Sequence, residues 1–339
     1  MLISTLTAAV GFLDLGGTQD LENFISGVAR DVEDPETKMS AFERSHLNSI
    51  AHAKNDEERK DLRKRNDLVV EALGDGSDYT SFHDYAGIST LSLAYGGEED
   101  GTQYHSIYDD FYWYSHFVDT DFAYGRALAQ TIGSAVMRLA DADLIPFDYA
   151  PQAEAIAKYE AELEKLLKDK QDEFTERNLE SQEGVFKAIN DPRRPTLPPP
   201  VEAVPPYINF APLKNTIELL RKSSDRYSKV LSKWQASGAP VSPAQKLELL
   251  NDDLLKVSRL FLQEKGLPER PWFENQVYAP GAYIGYSAKT IAPVREYMDE
   301  KKWKEAEGQV PQVAQVIENV AAGINKCADD LASLMASRP

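Results

Sequence analysis

The chain has 339 residues, 42% hydrophobic and 27% charged, enough for two or three packed units at ~100–200 residues per domain. Its 37 Lys and Arg face 55 Asp and Glu, a formal charge of -18, which repels phosphate backbones and anionic lipid and argues against a nucleic-acid partner. No apolar run reaches the ~20 residues of a membrane-spanning helix. The single cysteine, Cys327, has no intramolecular disulfide partner and reads as a small core residue in an apolar helical stripe.

The apolar start from Met1 to Phe12 has no Lys or Arg before it and reads as a strand rather than a signal peptide. Leu21, Phe24, Ile25, Val28 and Val32 step by i, i+3, i+4, i+7 and i+11, one apolar helix face, with Thr18 or Asp20 as its cap. Residues 53–66 alternate both signs of charge and read as a solvated helix or loop. Gly74-Asp75-Gly76-Ser77-Asp78 is a turn cluster. It leads into a short helix whose apolar members are Tyr79, Phe82 and Tyr85, then a strand from Ile88 to Ala94. A Tyr- and Trp-rich stretch from Tyr104 to Phe117 precedes a helix predicted from Asp121 to Ala140, closed off before Pro146. Residues 1–150 are therefore expected to form an α/β layer of the doubly wound kind.

From Pro151 the period is helical almost throughout. Leu213, Ile217, Leu220, Ser224, Tyr227, Leu231 and Trp234 step by four and three, as do Val313, Ile317, Val320, Ile324, Cys327, Leu331 and Leu334. Leu247, Leu250, Leu254, Val257 and Phe261 do the same. Stripes this narrow suit helices packed on helices, and residues 151–339 are expected to form a four-helix-type bundle. Its first helix, near Tyr159 to Phe174, is separated from the second by a proline-rich insertion at 191–206. Prolines forbid helix there and favour an extended polyproline II course. The insertion reads as an exposed passive linker, with an SH3-type ligand role as the alternative.

No short catalytic motif stands out. HExxH, CxxC, a strand-linked GxGxxG and GxxxxGK[ST] are absent, and Ser77 lies outside a Gly-x-Ser-x-Gly frame. His46, His52, His83, His105 and His116 provide no i, i+4 ligand pair with a partner acid.

Several stretches nevertheless occur in a telling order. Thr18-Gln-Asp-Leu-Glu-Asn-Phe24 leads to Asp31-Val-Glu-Asp-Pro35, and Leu73-Gly-Asp-Gly-Ser-Asp-Tyr-Thr-Ser-Phe82 is followed by Gly87-Ile-Ser-Thr90. Then come Tyr104-His-Ser-Ile-Tyr-Asp109, Leu144-Ile-Pro-Phe-Asp148, Gly266-Leu-Pro-Glu-Arg-Pro-Trp-Phe273 and Val277-Tyr-Ala-Pro280 with Tyr286. Across most of residues 15–337 the chain resembles the family of glutamate carboxypeptidase II and the transferrin receptor, peptidase subfamily M28B. The matching elements are that family's LGSGNDF-type loop, YHSxYE segment, LPFD and GLPDRPFYRH.

The resemblance implies a partial M28-type α/β/α layer over 1–150 and a transferrin-receptor-like dimerisation bundle over 151–339. It makes His105 the final zinc ligand of a two-zinc site, and turns Tyr104 and Tyr286 toward the substrate and the tetrahedral intermediate. It places Gly76 and Ser77 in the loop lining the cleft, with backbone groups open to substrate. Zinc is the cofactor of complete members. Their other ligands, a His-x-Asp, a Glu-Glu pair holding the general base and a later Asp, fall before Met1 of this sequence. The chain is accordingly expected to bind no zinc stably, to be inactive alone, and to meet a peptide substrate only with the upstream part. Glutamate-preferring members carry arginines on the strand after the loop. Here Gly87 to Tyr104 holds no Lys or Arg and carries Glu98, Glu99 and Asp100, so no glutamate preference is expected.

The bundle is expected to form a homodimer, with the final helix in the contact because Ala314, Ala321, Ala322, Gly323 and Ala328 flank its stripe. Two functions compete: an incomplete zinc-dependent exopeptidase, and a non-catalytic dimerisation or scaffold protein like the receptor branch.

Overall fold

In the computed structural model, which describes residues 1–97, 103–237, 244–282 and 286–336, the apolar start makes two strands rather than one. Strands β1 (Leu2–Ala8) and β2 (Gly11–Gly17) flank β3 (Thr90–Gly97), the first parallel to it and the second antiparallel. Leu91, Leu93 and Tyr95 on one face of β3 are fully buried and Thr90 and Ser92 on the other face are buried as well, as suits a central strand covered on both faces.

Helix α1 (Glu22–Arg30) lays Ile25, Val28 and Ala29 into the core, flanked by buried Leu21 and Val32, as the spacing predicts. The predicted caps do something else. Thr18 Oγ1 accepts the Thr90 amide at 3.2 Å and the Asp20 carboxylate accepts the Ser89 hydroxyl at 2.6 Å, so both stitch the helix entry to β3. Helix α2 (Ala41–Ala51) is capped by Ser40, and α3 (Asp56–Lys64), capped by Asn55, buries nothing and is the solvated helix expected.

The segment after the Gly74 turn departs from its predicted face. Ser81–Tyr85 is a single π-helical turn that buries His83 and Asp84, leaving Phe82 and Tyr85 exposed and only Tyr79 inside. Beyond the one-turn helix α4 (Phe111–Trp113), α5 (Ala123–Ala140) starts two residues later than predicted. Phe122 takes a left-handed φ of 59, and the buried Asp119 carboxylate accepts the Tyr124 and Gly125 amides at 3.2 and 2.8 Å. The buried Arg44 ties α2 to α5 through Asp34 at 2.8 Å and the Tyr124 hydroxyl at 2.5 Å.

Helix α6 (Ala150–Glu183) and the short α7 (Val185–Ala188) open the helical half, followed by α8 (Ala211–Ala236) and α9 (Ala244–Val257). A small antiparallel hairpin, β4 (Tyr278–Pro280) and β5 (Ala288–Thr290), leads to α10 (Ala292–Asp299) and α11 (Trp303–Ala336). The bundle is confirmed: the α9 and α11 stripes are buried throughout, and the α8 stripe is buried but for its half-buried last member, Trp234. Cys327 is a buried core residue whose thiol burial pushes up to about 12.

Helix α11 packs chiefly on α8 and also on α9 and α10, so it is the centre of this chain's own bundle. Ala314, Ala321 and Ala328 are buried there, and a Cβ on Gly323 would meet Leu260 Cδ1 at 2.6 Å. The small residues thus admit neighbours within one chain, which corrects their assignment to a dimer contact. Of the five, only Ala322 is exposed.

One apolar core runs from Leu13 to Leu334 across residue 150. Asn251 of α9 accepts the Ile145 amide at 3.0 Å, and the Tyr149 hydroxyl donates to the Leu254 carbonyl at 3.3 Å. Among the described residues no helix is long and apolar enough to cross a membrane.

Candidate functional site

Two loops of the α/β half and one from the helical half meet on the surface beside the Gly74 turn. The turn is locally determined: the Asp75 carboxylate accepts the Gly76 amide at 2.6 Å and the Thr80 hydroxyl at 3.1 Å, and the Ser77 carbonyl accepts the Thr80 amide at 3.2 Å. Its glycines are required by a long-range contact. A Cβ on Gly74 would lie 2.0 Å from the Tyr286 carbonyl oxygen, and one on Gly76, whose φ is 114, would lie 2.3 Å from the Tyr286 ring. The Tyr286 carbonyl accepts the Asp75 amide at 3.4 Å. The turn therefore lies flat along Tyr286.

Tyr104 joins from the other side. Its phenol is neighbour to that of Tyr286, and local desolvation followed by the Tyr286 neighbour raises it above the ordinary tyrosine value. His105 stacks on the Tyr104 ring, centroids 3.8 Å apart, and adopts a left-handed φ of 60, a conformation in which histidine is enriched over most residues. Tyr104 is 59% and Tyr286 62% exposed. The structure thus brings Gly76, Tyr104, His105 and Tyr286 together, with Ser77 half-buried at the end of the turn. Glu98, Glu99 and Asp100, read from sequence as replacing a cationic clamp, lie outside the described residues.

Zinc requires three or four protein ligands, or three and a water. Among the described residues no group of three or more His, Cys, Asp or Glu is placed to hold a metal ion. His105 lies on the surface against Tyr104 and belongs to no such group among the described residues. The described side chains by themselves do not fit zinc, and the chemistry they offer is that of two neighbouring phenols, an imidazole and a glycine-rich backbone.

Sequence reasoning missed a second polar cluster under this surface. The buried His83 Nδ1 lies 2.9 Å from Asp84 Oδ1, its ring packs on Tyr278 at 5.1 Å, and the Asp84 carbonyl accepts the Glu274 and Asn275 amides at 3.0 Å. Nearby, Ser89 bridges the Asp20 carboxylate at 2.6 Å and the Ser258 hydroxyl at 2.5 Å. Burial raises the carboxyls of both Asp20 and Asp84. His83 Nε2 and Asp20 Oδ1 have no hydrogen-bond partner, and a cavity of about 10 Å³ bordered by His83, Gln152, Ser258 and Tyr278 is the size one water needs. The cluster joins the α/β layer to the helical half. The only local signal for it was an adjacent His-Asp pair amid apolar residues.

The match to the family model of the transferrin receptor-like dimerisation domain covers residues 208–325, from the entry of α8 to the middle of α11. Over 312 residues the chain is 25% identical to the probable glutamate carboxypeptidase LAMP1 of Arabidopsis thaliana, covering 90% of this chain and 37% of that protein. It is 26% identical over 269 residues to the aminopeptidase NAALADL1 of Rattus norvegicus, covering 76% of this chain and 31% of that protein. Over 264 residues it is 28% identical to a probable glutamate carboxypeptidase of Arthroderma benhamiae, covering 77% of this chain and 31% of that protein. The chain spans about a third of the length of the curated relatives it matches.

Proposed function

We propose that this chain, a member of the transferrin receptor-like, M28B-type peptidase family, supplies one wall of a peptide-binding cleft and a self-association module, and that the residues present hydrolyse no peptide by themselves. The observation that supports the wall is the meeting of Tyr104, His105 and Tyr286 over the Gly74 to Ser77 turn. Two exposed phenol hydroxyls are donors of the kind that hold a substrate carbonyl and steady charge developing on its oxygen. Hydrolysis needs a base and an activated water besides, and the described residues hold no such set around His105. Purified chain incubated with excess zinc and a dipeptide panel is expected to give background hydrolysis only. Activity abolished both by a chelator and by His105→Ala overturns this reading.

For the helical half the proposal is a homodimer, which makes a non-catalytic scaffold the competing function. Because the small face of α11 is taken up inside the chain, the contact falls on an outward face of the bundle. The groove of about 370 Å³ between α9 and α11, where Leu249 stands exposed beside Lys246 and Asp253, is the face assigned here. Light scattering across a dilution series is expected to show twice the monomer mass for the chain, and monomer with unchanged helicity for Leu249→Glu. A chain already monomeric at high concentration refutes the homodimer.

A further inference from the structure

The chain from Asp191 to Asn209 is without helix or strand, yet from Pro199 its burial is periodic. Pro199 and Glu202 are half-buried, Pro205 and Ile208 are buried, and every residue between them is exposed. A repeat of three belongs to neither an α-helix nor a strand; it is the repeat of polyproline II, which has three residues per turn. The inward edge has contacts to match. Asn178 of α6 donates to the Glu202 carbonyl at 2.7 Å and accepts the Glu202 amide at 3.1 Å, and Gln171 donates to the Pro205 carbonyl at 3.1 Å. The Glu202 carboxylate pairs with Arg177 at 3.4 Å and Lys301 at 2.5 Å. One step of three upstream of Pro199, Thr196 is clasped by Asn190, which donates to its carbonyl at 2.7 Å and accepts its amide at 3.0 Å.

The other two edges face solvent and are apolar. Leu197, 94% exposed, and Pro200 share one; Pro198, Val201, Val204 and Tyr207 share the other. No charge points outward along them, and at the N-terminal end stand the exposed Arg194 and Arg193, the latter with its guanidinium 3.4 Å from the exposed Asp191.

We propose that this segment is a docking ligand for a protein domain that reads polyproline II through an aromatic-lined groove with carboxylates beside it. Such grooves seat residue pairs drawn from adjacent edges of the ligand. Leu197-Pro198 and Pro200-Val201 are two such pairs one turn apart, with Arg193 and Arg194 positioned for the carboxylates. Anchoring on α6 has already ordered the segment, so binding avoids the entropy loss of a free proline-rich tail. The passive linker expected from sequence would need neither the clasps nor the apolar outer edges.

The test titrates the full chain against purified SH3 domains that carry acidic residues beside the groove, followed by groove tryptophan fluorescence. Saturable binding is expected, weakened roughly tenfold or more by Leu197→Asp with Val201→Asp and severalfold by Arg193→Glu with Arg194→Glu. Asn178→Ala, which touches no partner but frees the inward edge, should also weaken it, to the level of an isolated 191–207 peptide. Unchanged circular dichroism in each variant keeps the readout one of binding. Three results overturn the proposal: no saturable binding, binding indifferent to Leu197 and Val201, or binding by the peptide and none by the full chain, which would mean the outward edges are covered.

Discussion

Helix α11 and the segment from Tyr104 to Phe122 are both rich in apolar side chains and dispose of them in opposite ways. Every member of the α11 stripe from Val313 to Leu334 is buried, whereas Ile107 is 86% and Phe111 71% exposed, with Tyr112, Phe117 and Phe122 exposed beside them. Composition is therefore not what decides burial. A stripe repeated over many turns lets helices cover one another within the chain. The aromatic segment has only a one-turn helix and a π-helical turn, too short to present a continuous face. Tyr104 and His105 are drawn from this second kind of region, where loops carried on a rigid scaffold leave side chains available to other molecules.

The comparison is broken most directly by placing a charge in each region. Ile324→Asp buries an unpaired carboxylate at the fully enclosed centre of α11 and is expected to cost about 4 kcal/mol or to prevent folding, read from the urea midpoint. Ile107→Asp should change stability by less than about 0.5 kcal/mol. An equal loss at both positions would mean that the aromatic segment is covered in solution.

A second substitution tests the contact between the Gly74 turn and the Tyr286 loop, on which Tyr104 rests. Gly74→Ala drives a methyl into the Tyr286 carbonyl and is expected to cost about 1–3 kcal/mol, with faster amide exchange at residues 287–290. Unchanged exchange there would show that the turn and the Tyr286 loop do not lean on each other.

The smallest effect is electrostatic. Burial, with Glu164 beside it and only partly offset by Lys214, pushes Glu160 of α6 from 4.5 to about 7. A carboxyl raised by folding contributes stability that is complete below its unfolded value and lost as pH rises through the folded one. Stability should therefore fall between pH 5 and pH 8, by about 1–2 kcal/mol from this group. Glu160→Gln should reduce the fall by that amount in paired denaturation series. Parallel pH curves for wild type and variant would remove Glu160 from the account. Glu22, raised to about 7 by burial despite Arg65, adds to the same trend and is unaffected by the substitution.

By itself the sequence determined what depends on neighbours along the chain. The face of α1, the stripes of α8, α9 and α11, the solvated α3 and the extended course of the proline-rich insertion all follow from spacing or from proline's missing amide. The candidate site was legible through short segments whose order, rather than any single motif, carried the resemblance. Tertiary structure alone decided which of several locally acceptable arrangements was used. Thr18 and Asp20 had the chemistry of caps, but Thr90 and Ser89 lay across the fold and took their oxygens. The row Tyr79, Phe82 and Tyr85 fitted one helix face until the chain made a π-helical turn that set His83 and Asp84 inward against Tyr278 and Asn275. The small residues of α11 permit close approach by any helix, and only the packed bundle specifies that the neighbours come from the same chain. Gly74 and Gly76 announced a turn, while the carbonyl and ring of Tyr286 that make glycine necessary there arrive from more than two hundred residues away, a distance over which no local pattern carries information.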